Sequence, residues 1–161
     1  MGRLKIIATE ALRELASAAA ASPRRRKNLN LHESLDDPVQ RFLNDFEPGT
    51  YVRPHRHAGK WELFVLLQGA AAVLTFDTDG RVTERAELNG DDGARVIEIP
   101  GTTWHTVIAH APHTVLLEVK RGPYDATAAE FGAWSPAEGD PQAVEFGRWL
   151  VTAAPGDLAP R

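Results

Sequence analysis

The chain has 161 residues, of which 43% are hydrophobic and 25% are charged, a composition typical of a folded globular protein. Its net charge of −4 offers no basic field for nucleic acid, and the absence of cysteine excludes disulfides and thiolate metal sites. No apolar run reaches the roughly 20 residues of a membrane span. Glu10, Arg13 and Glu14 interrupt what would otherwise resemble a signal peptide, so we expect a cytoplasmic protein without nucleic-acid or membrane partners.

The first predicted element is an N-terminal helix. Thr9 is a suitable N-cap for the helix-forming residues that follow it, and Ser22-Pro23 would end the helix. Four consecutive cations then occupy residues 24–27. Two interpretations of this run stay open, a solvated linker and an arm that contacts an anion. We assign residues 1–38 to an N-terminal helix and arm.

A series of short strands is predicted next. Residues 39–119 consist of short runs of Val, Ile, Leu, Thr and aromatics between Gly, Pro, Asn and Asp, a spacing typical of an all-β sandwich or barrel. Asp79-Gly80 predicts a hairpin. Residues 61–67, WELFVLL, are apolar on both faces and predict a central strand that is covered on each side. We assign residues 39–122 to this barrel.

The last predicted element is a C-terminal helix. Asp140 is a suitable N-cap, and Pro141 occupies the first helical position, which proline favours. We assign residues 123–161 to a C-terminal helical extension.

Potential metal ligands lie on neighbouring predicted strands. His55 and His57 share one face of a strand because they are two residues apart. A chain reversal after His57 would bring Glu62 opposite them, and a Pro-Gly turn would deliver His105 onto another strand. Three imidazoles and one carboxylate suit a divalent transition metal, which compensates groups that are costly to bury. Fe, Mn, Ni, Co and Zn are all compatible with this ligand set.

The spacing of these residues follows a known motif. The pattern G-x5-H-x-H-x4-E-x6-G is present without a departure from Gly49 to Gly69, and it resembles the first motif of the cupin superfamily. The second motif of that superfamily, G-x5-P-x-G-x2-H-x3-N, matches at Pro100 and His105. Three positions depart from it. The first glycine is one position early, at Gly93, the second is Gly101 rather than residue 102, and Ala109 replaces the final asparagine.

A longer resemblance covers about residues 24–139. The segments NLNLHES, DPVQRFLNDFEPGTYVRPHRH, KWELFVLLQG, EIPGTTWHTV and VLLEVKRGPYD look like those of WbuC-type cupin fold metalloproteins. This resemblance implies an all-β cupin double-stranded β-helix, or jelly-roll barrel, with short N- and C-terminal helices. It also implies a metal held by His55, His57, Glu62 and His105, in a family associated with bacterial surface-polysaccharide gene clusters. It implies no particular reaction.

Tyr51 and Arg53 are the candidate catalytic residues, because they share the parity of the two histidines. For Tyr51 the alternative is a hydrogen-bonded barrel tyrosine. For Arg53 two roles stay open, an ion pair with Glu98 or Glu118 and a clamp on a carboxylate or phosphate of the ligand.

The other polar and aromatic residues that stand out are expected to have secondary roles. Three histidines are expected to be structural, the last two at a solvent-facing turn: His32, His110 and His113. Two tryptophans that face away from the ligands are expected to pack or to lie in a homodimer interface: Trp61 and Trp104. Two residues are weaker candidates for the cavity: Gln40 and Arg41.

Three functions are consistent with these features. The first is a metal-dependent enzyme, of isomerase, epimerase or oxygenase type, acting on a small polar molecule. The second is a non-catalytic module that binds an acidic sugar through the metal. The third is a metal-free nucleotide-sugar epimerase, which the complete set of four ligands disfavours.

Overall fold

The structure is a computed structural model that describes residues 3–160. It consists of a β-sandwich with one helix near each end of the chain. In chain order the elements are α1 (Thr9–Ala21), β1 (Arg26–Asn30), β2 (Val39–Phe46), β3 (His55–His57), β4 (Glu62–Gln68), β5 (Ala71–Phe76), β6 (Val82–Leu88), β7 (Val96–Ile99), β8 (Trp104–Ala109), β9 (Thr114–Arg121), β10 (Ala129–Phe131) and α2 (Gln142–Thr152).

The strands form two five-stranded sheets in which neighbouring strands are antiparallel. The first sheet has the order β1-β2-β9-β4-β7, and the second has the order β10-β3-β8-β5-β6. The chain passes repeatedly from one sheet to the other, which is the jelly-roll arrangement. The predicted all-β jelly roll with short terminal helices is confirmed.

Apolar side chains fill one end of the space between the sheets. Phe64 and Leu66 of β4 point inward and pack there with Val73 and Leu116. Glu62 is also buried on β4, and it points inward at the opposite end because alternate residues of a strand share a face. Each buried apolar side chain contributes about 1.5–3 kcal/mol. The apolar end therefore stabilises the sandwich independently of the polar end.

Each helix covers part of the outer face of one sheet. Leu15 of α1 packs on Leu43 and Val115 of the first sheet, and Phe146 and Leu150 of α2 pack on the second. Neither helix in the described range 3–160 has the length and apolarity that crossing a membrane would need.

The ends of both helices differ slightly from expectation. α1 begins at Thr9 itself, with Ala8 in the cap position, so the expected Thr9 N-cap is wrong by one residue. The Asp140 carboxylate accepts a hydrogen bond of 2.8 Å from the main-chain N–H of Gln142. Asp140 thus binds the first turn of α2, but the helix starts at Gln142 with Pro141 in the cap position, so the expected N-cap and first helical residue are each wrong by one residue.

β1 was not predicted. Residues 26–30 form an edge strand along β2, whereas the sequence suggested a linker or an arm. The segment RKNLN has no apolar face that would predict a strand. It forms one because an edge strand can pair its main-chain groups with a single neighbour. Two residues of the cationic run, Arg24 and Arg26, form ion pairs with Glu138. The three-part division of the chain stays a prediction, and both flanking parts add a strand to the sandwich.

The predicted hairpin agrees with the structure, and the predicted central strand agrees with it only in part. β5 and β6 pair on either side of Asp79-Gly80, so the hairpin is confirmed. β4 lies between β9 and β7 as an interior strand. Its outer face is not covered, however, since Leu63 and Val65 are only half-buried and Leu67 is 50% exposed.

Candidate metal centre

Four polar side chains meet at the end of the sandwich opposite the apolar core. His55 and His57 lie on β3, and His105 lies on β8 directly opposite His55. Glu62 is the first residue of β4 in the other sheet. One ligand atom each from His55, Glu62 and His105 lies within 4.8 Å of the others. The group therefore bridges the two sheets.

A glycine contact holds the turns that carry these residues together. A Cβ atom at Gly101 would lie 2.4 Å from the main-chain nitrogen of Lys60, so only glycine fits there. The N–H of Gly59 donates to the carbonyl oxygen of Gly101 at 3.0 Å. The turn between His57 and Glu62 is thereby joined to the turn before His105, although Gly101 departs from the spacing of the second motif.

The hydrogen bonds of two rings define which nitrogen is free. Nδ1 of His55 lies 2.9 Å from the carbonyl oxygen of Arg53, and Nδ1 of His105 lies 3.0 Å from that of Thr103. A carbonyl oxygen can only accept, so each Nδ1 carries a proton and the Nε2 of the neutral ring carries a lone pair. This is the arrangement that orients histidine as a metal ligand.

The distance between His105 and Glu62 indicates that a cation or a proton lies between their facing atoms. Nε2 of His105 lies 2.8 Å from Oε2 of Glu62, and both atoms are acceptors when the ring is neutral. Within residues 3–160, Oε2 of Glu62 is buried without a hydrogen-bond donor. Either a cation or a second proton on the ring must separate the two lone pairs. The donor set fits a divalent transition metal.

His57 is more peripheral than the other three residues. Its Nε2 lies 3.2 Å from Oε1 of Glu62, but its ring centre is 6.4 Å from that of His105, compared with 4.5 Å for His55. The structure thus brings His55, Glu62 and His105 together as a compact group, with His57 in contact with the carboxylate.

Burial and neighbouring polar groups together set the protonation states of the group. Burial, aided by the neighbouring His105, lowers the pKa of His55 to about 3, and burial also lowers the pKa of His57. Burial alone would raise the pKa of Glu62, but the contact with His105 and the charge of Lys120 outweigh it and hold that pKa below its usual range. Neutral imidazole and ionised carboxylate are the forms that bind metal.

Two residues of the site, Lys120 and Asn44, were missed by the sequence reasoning, and Glu118 was expected only as a partner of Arg53. Nζ of Lys120 lies 3.1 Å from Oε1 of Glu62 and 2.8 Å from Oε1 of Glu118, and the amide of Asn44 donates to Glu118 at 2.7 Å. Burial raises the pKa of Glu118, and the two carboxylates raise the pKa of Lys120 although burial opposes this. The sequence offers one sign of this pair: Glu118 and Lys120 are two residues apart and therefore share one face of β9, which is otherwise largely apolar.

A cavity of about 340 Å³ opens beside the group, within the size range of small-molecule sites. His55, Glu62 and Lys120 are among the residues of its wall. Polar and cationic residues at its mouth come from the start of the chain, and these are Ser22, Arg24, Arg26, Lys27 and Asn28. The cavity therefore combines a carboxylate–imidazole group inside with positive charge at the entrance.

Tyr51 does not face this cavity. Its hydroxyl donates to the carbonyl oxygen of Pro136 at 2.9 Å, and its ring packs edge-on against Phe146 of α2. Burial raises the pKa of Tyr51 to about 12. The tyrosine is thus a hydrogen-bonded packing residue, which was the alternative to a proton donor.

Arg53 is also turned away from the cavity. Its guanidinium donates to the carbonyl oxygen of Gly132 at 3.3 Å and to Oγ of Ser135 at 3.2 Å. The expected ion pair with Glu98 or Glu118 is wrong, since the guanidinium of Arg53 pairs with no carboxylate among residues 3–160 and Glu118 pairs with Lys120 instead. The parity argument fails because residues 51–54 precede β3 and are not part of a strand.

The two weaker candidates for the cavity have structural roles. The side-chain amide of Gln40 donates to the main-chain oxygens of Leu35 and Asp37. Arg41 donates to the Asp37 carboxylate at 2.9 Å from the outer face of β2. Neither residue lines the 340 Å³ cavity.

The remaining histidines and tryptophans lie away from the candidate centre. His32 is buried and accepts a hydrogen bond from the main-chain N–H of Arg41. Trp104 is half-buried beneath the guanidinium of Arg56, and Trp61 is 40% exposed. Two histidines contact carboxylates at the turn that follows β8, His110 with Glu87 and His113 with Glu47.

Comparisons with known proteins agree with the fold. A family model described as a domain of unknown function, DUF6016, matches residues 7–88, which include His55, His57 and Glu62 but end before His105. Among curated proteins, no match to the chain was found.

Solved structures of cupins resemble the chain. A cupin superfamily protein from Desulfitobacterium hafniense is 26% identical with a TM-score of 0.51, over 74% of this chain and 98% of that protein. KdgF from a Halomonas species is 20% identical with a TM-score of 0.50, over 66% and 84%. CapF from Staphylococcus aureus, a capsular polysaccharide assembling protein, is 18% identical with a TM-score of 0.53 over 65% of this chain, which spans only 31% of CapF. The fold is that of the cupin superfamily.

Proposed function

The chain belongs to the DUF6016 family, and we propose that it binds a divalent transition metal through His55, His57, Glu62 and His105, together with a small polar molecule. The observation that carries this proposal is the 2.8 Å distance between Nε2 of His105 and Oε2 of Glu62. A cation between these two atoms would remove the repulsion of their lone pairs.

A bound ion would supply Lewis-acid chemistry toward an oxygen atom of the ligand. The surrounding residues would prepare the site for it. The carbonyl oxygens of Arg53 and Thr103 hold the rings of His55 and His105 in the orientation that exposes Nε2. Lys120 pairs with Glu62 and Glu118 and helps to hold the pKa of Glu62 below its usual range, which keeps this ligand ionised.

The ligand that we propose is a small molecule that carries a carboxylate or a phosphate, such as an acidic sugar derivative. Support comes from three cations at the mouth of the cavity, Arg24, Arg26 and Lys27. The two arginines share the single carboxylate of Glu138, so an excess of positive charge remains for a ligand. Guanidinium groups pair with carboxylates and phosphates through two parallel hydrogen bonds. The resemblance to WbuC-type cupins adds bacterial surface-polysaccharide metabolism as the setting in which such a ligand would occur.

A non-catalytic binding module is the second candidate function, and one observation favours it. The cavity wall offers few free acid or base groups, because Lys120 and Glu118 are paired with each other and because Tyr51 and Arg53 point elsewhere. An isomerase or epimerase needs a side chain that can accept a proton. An oxygenase-type reaction would depend less on such a group.

Elemental analysis of untagged protein, followed by reconstitution with Fe, Mn, Ni, Co and Zn with and without oxygen, tests the proposal. We expect the wild type to hold one more ion per chain than a His105→Gln variant. Sugar phosphates and nucleotide sugars are then screened for turnover and, by calorimetry, for binding. Binding without turnover would assign the chain to the binding modules. Equal metal content in the wild type and in His105→Gln would contradict the metal site.

A further inference from the structure

A second group of potential metal ligands lies on the other face of the first sheet. Asp45 is the second-last residue of β2, Glu47 follows that strand, and His113 precedes β9. One ligand atom from each lies within 4.8 Å of the others. Asn44 lines the cavity of the candidate metal centre, so its neighbour Asp45 must point to the opposite face.

The carboxylate of Asp45 lacks compensation within the described residues. The residue is completely buried, and neither of its two side-chain oxygens has a hydrogen-bond partner among residues 3–160. Burial, together with the nearby Glu47, raises the pKa of Asp45 to about 6, although His113 opposes this. A buried carboxylate without a hydrogen-bond partner is costly in either protonation state. We therefore expect a cation to bind it.

The nearby cations do not provide this charge. Arg13 of α1 lines the same cavity of about 490 Å³ as Asp45 and His113, but its guanidinium pairs with Glu10 at 3.2 Å. Nδ1 of His113 lies 2.7 Å from Oε1 of Glu47, so the imidazole is directed at the second carboxylate.

We propose that Asp45, Glu47 and His113 form a second divalent-cation site, suited to Zn²⁺, between the first sheet and α1. Two carboxylate oxygens and one imidazole nitrogen are common zinc ligands at about 2.0–2.2 Å. Ligand atoms around one zinc ion lie roughly 3–4 Å apart, so small side-chain movements would bring the observed atoms to these separations. The half-exposed His113 side chain and the cavity leave room for water as a further ligand.

Such a site would be structural, because it joins the end of β2 to the turn before β9 beneath α1. An ion that binds only the folded chain raises its stability. The site is independent of the candidate centre on the inner face, and the two can therefore be removed separately.

Zinc titration of chelator-treated full-length protein by calorimetry, with elemental analysis after dialysis, tests the proposal. We expect two ions per chain in the wild type, one in His113→Asn, one in His105→Gln and none in the double variant. Asparagine suits position 113 because His113 has a positive φ of 54°, which asparagine tolerates. His110→Asn is the matched control on the same turn and should keep both ions.

Zinc should also raise the melting temperature of His105→Gln, and the added Asp45→Asn substitution should abolish that rise and weaken zinc binding at least about tenfold. Circular dichroism before zinc addition establishes that each variant is folded. Absence of zinc binding in His105→Gln would overturn the second site. Zinc affinity that stays unchanged when His113→Asn or Asp45→Asn is added to His105→Gln would also overturn the second site.

Discussion

The ammonium group of Lys120 lies 3.1 Å from Oε1 of Glu62, the same oxygen that faces Nε2 of His57. This ion pair places a positive charge directly beside the proposed metal ligands. The second contact of the ammonium, with Glu118 at 2.8 Å, keeps it there. A divalent cation that enters the site must therefore overcome repulsion from Lys120.

Replacing Lys120 should tighten metal binding and weaken the fold. In Lys120→Met we expect metal affinity to rise about tenfold, since a like charge close to the ion is removed. The melting temperature should fall, because Glu118 is left buried without its cationic partner. Competition with a chromophoric chelator measures the affinity, and thermal unfolding followed by circular dichroism measures the stability.

Two further variants control this experiment. Lys120→Met combined with Glu118→Gln should recover much of the lost stability, since it removes the unpaired charge. Lys5→Met removes an exposed lysine that donates to the carbonyl oxygen of Leu31, and it should change neither quantity appreciably. Metal binding that weakens in Lys120→Met would show that the lysine supports the ligand set instead of opposing the ion.

The histidines should contribute unequally to metal affinity. His55→Gln and His105→Gln should each reduce affinity about a hundredfold or more, because their Nε2 atoms belong to the compact group. His57→Gln should cost only about tenfold, similar to loss of an outer partner of a metal ligand. Melting temperatures without metal should stay close to that of the wild type, since the apolar end of the sandwich does not depend on these rings. Equal losses in all three variants would refute the ranking.

Tyr51 should ionise only at strongly alkaline pH. Burial raises its pKa to about 12, above the unperturbed value of about 10, so the folded state favours the neutral phenol. The stability that this contributes is fully present below pH 10 and is lost as the pH rises toward 12. The absorbance of phenolate in the wild type minus that in Tyr51→Phe should give a titration centred near pH 12. A midpoint near neutral pH would restore Tyr51 as a candidate proton donor.

The proposed ligand set could be predicted from sequence because it depends on local geometry. Two histidines two residues apart must share a face of a strand, and fixed spacings set the position of Glu62 and His105 relative to the turns. Gly101 allowed the two turns to meet although it departs from the motif. Spacing therefore carries the information about which residues approach one another.

The rest of the site could not be predicted because it depends on pairing between distant segments. Lys120 reaches Glu62 only because β9 lies beside β4, and no local pattern specifies that neighbour. β1 likewise becomes a strand only because β2 offers an open edge. The direction of the Arg53 side chain was predicted wrongly for a related reason. Its spacing of two residues from His55 suggested a shared face, but that alternation applies only where the chain is extended in a sheet.

The homodimer stays a prediction, and the outer face of the first sheet is where we expect it to form. Leu67 of β4 and Val96 of β7 are 50% and 54% exposed, and α1 packs on β1 and β2 instead. Light scattering at micromolar concentration should give twice the chain mass, and Val96→Lys should reduce it to one chain because a charge is costly inside an apolar interface. Val144→Lys, at a 61% exposed valine of α2, should leave the dimer intact. A single-chain mass for the wild type would mean that this apolar face is simply solvated.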